Sequence, residues 1–203
     1  MVTIAEMKGM ERNRDATEKR LLETVGKMVA EKGFEQIVIN AIAAQSGVSK
    51  ILIYRYFGSI DGLLSAYIRQ YDFWLNLPAD VPERDELPQF LKTMFQQQID
   101  RLRTDATLRR LYRWELSCNN EMVAKIREQR EKARLELIRK FCQASGMQQP
   151  EAETISAIFA ASITYLAMLS DFCPVYNGIA IDEETGWERI KSGIDTLIDR
   201  ILS

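Results

Sequence analysis

Histidine is absent from all 203 residues. That gap removes the usual general base at neutral pH, the commonest metal ligand and every Ser-His or Cys-His pair. Cysteine is scarce and scattered. Cys118, Cys142 and Cys173 offer neither a disulfide framework nor the close ligand pairs of a zinc site, and they read as buried thiols, with redox sensing by one of them as the alternative. There is no phosphate-cradling glycine loop and no HExxH run. An enzyme is therefore disfavoured, no metal or cofactor is expected, and only carboxylate chemistry stays open. The start of the chain lacks the apolar core of a signal peptide, reaching Glu6, Lys8 and Glu11 early, which leads us to expect a cytoplasmic protein.

What is present is ordinary for a soluble globular chain, with 46% hydrophobic and 28% charged residues, so disorder is disfavoured. The net charge of -2 argues against unspecific nucleic-acid binding, but its distribution is uneven. Residues 1–60 hold nine Lys and Arg against seven Asp and Glu, a balance of +2, while the rest of the chain carries -4.

Helical periodicity dominates, the five prolines are few and clustered, and no alternating strands are read around an Asn-Gly turn, so the chain is expected to be all α. Asp15 and Glu18 have capping-box spacing; Leu21, Leu22, Val25, Met28 and Val29 then form one stripe, which Gly33 can close as a C-cap. Two short helices follow, over about 39–45 and 49–57, with "SGVS" as the tight turn between them. A fourth helix from Asp61 leads to the loop "LPADVPERDELP", and Pro88 suits the first turn of a fifth. Asp105 can cap a sixth, and a long charged helix from Asn119 or Asn120 stops at Gly146. Residues 154–170 carry no charge but fall short of the ~20 residues a membrane span needs, so a helix enclosed on all sides is expected and no membrane partner. The last helix puts Trp187, Ile190, Ile194, Leu197, Ile198 and Ile201 on one face.

Two short helices joined by a glycine turn, behind a longer apolar-striped one, form a helix-turn-helix pattern whose second helix lies in the DNA major groove. Lys50 and Arg55 can reach phosphates or guanine edges, while Tyr54 and Tyr56 can donate hydroxyl bonds. The plainer reading is a small helix with one solvated face. The stretch "EKGFEQIVINAIAAQSGVSKILIYRYFGSIDGLL" resembles the signature of TetR-type regulators, roughly "EKGFxxTTxxxIAxxAGVSxGxLYxYFxSKExLL". It covers about a sixth of the chain.

The resemblance implies an N-terminal three-helix DNA-binding domain over 1–60 and a ligand-binding and dimerisation domain over 61–203. It implies a homodimer on a palindromic double-stranded operator, a four-helix interface from the last two helices of each subunit, and a small-molecule effector that releases a repressor. The family's DNA contacts carry over onto Asn40, Ser49, Lys50, Leu52, Tyr54, Arg55 and Tyr56, and its core positions onto Ile42, Val48, Ile53 and Phe57. Three positions depart. Val38 stands where the family has a capping Thr, losing ~1 kcal/mol of local helix stability unless Asn40 or water compensates. Ile51 replaces a Gly and either holds the helix off the groove or meets a thymine methyl. Ile60 replaces a Lys, removing a phosphate contact; the flexible arm with Lys8, Arg12 and Arg14 either restores it from the backbone or a minor groove or is merely a solubilising tail.

In the second half, Glu115 sits amid an apolar arc and Gln98 amid Leu91, Met94, Phe95 and Leu102. Polar groups on apolar faces need partners. Either they pair with neighbouring helices, or they line an effector pocket with Trp74, Phe95, Tyr112, Tyr165 and Met168, orienting an apolar ligand with a cationic or hydrogen-bonding group. The alternatives to a regulator are a dimeric ligand-binding or protein-interaction module with a degenerate head, and a cofactor-free helical enzyme using Glu115.

Overall fold

The computed structural model describes residues 4–77 and 80–202, with side chains from Asn13 onward. It forms two compact units, residues 1–72 with 114–126, and 73–113 with 127–203. The first therefore runs past the boundary at residue 60 expected from the motif.

In the N-terminal unit, α1 (Ile4–Lys32), α2 (Ile39–Ser46), α3 (Lys50–Phe57) and α4 (Ile60–Tyr71) surround one core. Leu21, Val25, Met28 and Val29 of α1 are buried with Ile42, Val48, Ile53, Leu63, Leu64 and Ile68. Gly33 ends α1 at φ +81°, its N–H donating to Val29 O at 3.0 Å. The α2–α3 turn needs a left-handed residue and has one in Gly47, φ +66°. Val48 N–H donates to the buried Ser46 Oγ at 3.2 Å across that turn. Phe34 stacks on Trp114 at 4.9 Å and tilts against Tyr67 at 6.4 Å, an aromatic cluster that joins the end of the sixth helix to this core. A side chain at Gly62 would run into the Phe57 carbonyl oxygen, so the α3–α4 corner is closed to anything larger.

Asp15 does not cap. It lies inside α1, which extends back to Ile4, because "IAEMKGMERNRDATEK" holds no proline and favours helix. Arg14 pairs with Glu18 at 2.7 Å one turn on, and Thr17 donates to Asn13 O. The side chains of Lys8 and Arg12 lie outside the described residues.

The C-terminal unit is built on α5 (Leu87–Thr104), α6 (Ala106–Ser117), α7 (Glu121–Ser145), α8 (Gln149–Leu169) and α9 (Glu184–Leu202). The opening residues of α7 and the end of α6 count with the other unit. Caps fall as the sequence suggests: Leu108 N–H donates to Asp105 Oδ1 at 2.9 Å, Val123 N–H to Asn120 Oδ1 at 2.8 Å, and Gly146 turns at φ +80°. α5 and α9 pack together and are tied at their rims by Gln96–Asp195 (3.0 Å), Lys92–Asp199 (2.6 Å) and Lys191–Asp100 (2.9 Å).

Three expectations fail here. Asn177-Gly178 makes a hairpin between β1 (Val175–Tyr176) and β2 (Ile179–Ala180), with φ +49° and +74° at the two turn residues. Its strands are only two residues long, too short to alternate, so the turn is not seen by period. Leu197 is 46% exposed and leaves the buried stripe of α9. Lastly, α8 is not enclosed. Ala152, Phe159, Ile163 and Ala167 face the core, while Thr154, Ala157, Ile158, Ala161, Ser162 and Tyr165 make a continuous exposed stripe at helical spacing, with Ile158 60% exposed. It is long and apolar enough to cross a membrane by length and composition, but an unbroken apolar sequence does not say which molecule covers each face.

Asp171, just past α8, gathers two arginines of α6. Arg109 grips both carboxylate oxygens (2.8–3.2 Å) and also donates to the Leu102 and Arg103 carbonyls at the end of α5 (2.6 and 2.7 Å). Arg113 donates to Asp171 at 2.7 Å and to Met168 O at 3.0 Å. Burial pushes the Asp171 carboxyl up, but the hydrogen bonds and charge of the two arginines outweigh it and hold it below the ordinary carboxylate range. A depressed folded pKa gives stability that is full above the unfolded value near ~3.9 and is lost as pH falls through the folded one. Asp171→Asn should therefore melt at a lower temperature than the wild type at pH 7, and the two melting curves should converge as acid protonates Asp171; a constant gap down to pH 2 would contradict the clamp.

Candidate nucleic-acid interface

α3 is eight residues long, and its sequence divides it sharply. Ile53 is fully buried and Phe57, one turn on, half-buried; Lys50, Ile51, Tyr54 and Arg55 are exposed. The exposed positions share one face because residues three and four apart align on a helix. Ser49 caps α3 by accepting from Leu52 N–H at 3.4 Å, which leaves its own O–H free to donate outward. Tyr56 is half-buried, with the Arg14 guanidinium 5.3 Å from its ring centroid, so α1 steadies the phenol that α3 presents. Asn40, the second residue of α2, is exposed; Leu52 is half-buried. Of the seven predicted contacts, Asn40, Ser49, Lys50, Tyr54 and Arg55 are thus fully open to a partner, and Leu52 and Tyr56 partly so. α2 itself starts at Val38 with no side-chain cap, as the replacement of the capping hydroxyl requires.

The face can do two kinds of work. Hydroxyls and cations bond phosphate oxygens and fix register; Arg55 and Lys50 can also reach base edges. The sequence pointed to these positions. It did not show that Arg14, read as part of a loose arm, sits in α1 against Tyr56, a contact that depends on tertiary packing.

Of the seven residues predicted for an effector pocket, Phe95 lines the apolar cavity found in the C-terminal unit. Phe95 meets Phe159 edge-on at 5.2 Å, and the cavity, of ≈ 60 Å³, has Phe90, Leu91, Phe141, Ile155 and Ile198 among its walls. None of the other six lines that cavity. Trp74 is buried with Arg134 4.6 Å from its ring, and Tyr112 with Arg130 5.0 Å from its ring. Gln98 is buried; its Nε2 donates to Thr164 at 3.4 Å, and its Oε1 accepts no hydrogen bond among the described residues. Tyr165 is half exposed beside Tyr176, Met168 is half-buried, and Glu115 is buried in the unit of the helix-turn-helix. Arg130 and Arg134 were missed, though they stand one turn apart on a helix that also buries Val123 and Ile126, which is the signal that could have found them.

The cysteines are half-buried rather than buried. Burial, then the charge of Glu153, pushes the Cys142 thiol up, away from the thiolate form that redox sensing needs. Among the described residues no cluster of acidic and thiol groups could hold a metal ion.

Residues 21–67 match the family model of bacterial regulatory proteins, tetR family. No curated protein matches the chain. Lys50→Ala should flatten the salt dependence of duplex binding by about 0.9 of a log–log unit per head, the counterion released at one phosphate. The thermal melt should not change, since the side chain is exposed. Anisotropy titrations across a salt series check this, and an unaltered slope would remove Lys50 from the interface.

Proposed function

We propose, from the premise that residues 21–67 are the DNA-binding domain of a regulator of the tetR family, that this protein is a homodimeric repressor released from a palindromic operator by a small apolar effector. The observation that carries the reading is the division of α3, whose inner side chain is sealed in the core while two cations and a phenol stand free on its outer face. Such a helix is shaped for a groove lined with phosphate.

Pairing is supported by the stripe from Thr154 to Tyr165 on α8. An apolar helical face of that length in water marks an interaction surface, and a second copy would cover it symmetrically. Effector binding is supported by the apolar cavity beside Phe95 and, outside the walls of that cavity, by the buried Gln98 acceptor on the same helix, which calls for an N–H or O–H donor. An effector that binds better when the two heads are misplaced for successive major grooves shifts the population off DNA; the coupling is thermodynamic linkage. A second reading, a ligand-binding or interaction module with a degenerate head, is favoured by the uncapped start of α2 at Val38.

Gel shifts with the DNA upstream of the protein's own gene separate the two. Selective, salt-sensitive retardation supports the regulator, and none at low salt supports the module. In parallel, Ile158→Glu should turn a dimer into a folded monomer by light scattering and weaken operator binding at least tenfold. A variant that stays dimeric with full affinity would exclude α8 from the interface.

A further inference from the structure

We infer that Ile51 reads a pyrimidine C5-methyl group in the major groove, carried by thymine or by 5-methylcytosine. The inference rests on the reading of residues 21–67 as a duplex-binding head and adds what that head recognises. Ile51 is 78% exposed, more than any other large hydrophobic side chain among the described residues. It does not hold α3 in place, a task done by Ile53 at 0% exposure. Nor does it favour the helix, since a β-branched side chain is less at ease there than alanine. It is the second residue of α3, directly after Lys50 and one turn before Tyr54 and Arg55, so it stands among the groups that would bond the backbone of DNA.

The N-terminal residues of a recognition helix are those that meet base edges. Guanine, adenine and unmethylated cytosine present only donors and acceptors there, which a hydrocarbon would strip of water without replacing their bonds. A methyl on C5 is the one edge group that gains by meeting isoleucine. The polar flanks of Ile51 then have the phosphates, and the apolar centre has the methyl.

The experiment starts from an operator mapped by footprinting and replaces its thymines, one at a time, by deoxyuridine, which deletes the methyl and keeps every hydrogen-bonding group. One position in each half-site should weaken wild-type binding about fourfold, the worth of a single methyl moved out of water. The Ile51→Ala variant should lose most of that difference while keeping its circular dichroism spectrum. If thymine replacement changes nothing but 5-methylcytosine at one position tightens binding by a similar factor, again only with Ile51 present, the methyl is that of the modified base. Selective, salt-sensitive binding that ignores both substitutions overturns the inference and leaves the regulator standing, as does an Ile51→Ala protein that binds every duplex more tightly. Failure to bind any duplex overturns both together.

Discussion

An eight-residue helix does not hold itself folded in water, because nucleation costs more than two turns of hydrogen bonds return. α3 persists only because Ile53 is sealed in the core, where α3 packs against α4 and α2, and because the turn before it is fixed by Gly47 and by the Ser46–Val48 bond. The outer face of α3 follows from that anchoring. With one side of so short a helix committed inward, Lys50, Tyr54 and Arg55 have no direction left but outward. Arg14 extends the same logic to α1, placing a cation against the Tyr56 ring.

The second unit answers a different constraint, that of keeping long helices aligned. α5 and α9 meet through apolar positions and fix their register at the rim with two ion pairs and the Gln96–Asp195 hydrogen bond, each of them worth little alone but requiring one particular alignment together. Trp187 donates to Ile181 O at 2.7 Å and is almost wholly buried, so the start of α9 is pinned to the segment that follows the hairpin. Asp171 does comparable work at the opposite side of the chain order, binding α6 through two arginines that also satisfy the last carbonyls of α5 and α8.

How much of this could be read beforehand depends on how local the cause is. Gly33, Gly47, Asp105, Asn120 and Gly146 act on the few residues beside them, so the helix ends they set were legible. The exposed side of α3 was legible for the same reason, through a motif that is contiguous in sequence. Asp15 misled because capping-box spacing also occurs inside a helix, where Glu18 serves Arg14 instead. The outer face of α8 misled because apolar periodicity records only that a surface must be covered, not by which chain. The walls of the cavity beside Phe95 were out of reach, since side chains brought together by helices distant in sequence leave no local pattern.

The uncovered stripe of α8 has a consequence for abundance. If two copies hide it from each other, folding and pairing draw on one free energy, and each doubling of the chain's concentration adds roughly RT ln 2, about 0.4 kcal/mol, to its resistance to unfolding. Newly made chains in a cell holding few of them would be the most exposed to proteases. Scarcity would then be self-limiting, and the cell would hold either enough of this protein to occupy its sites or almost none.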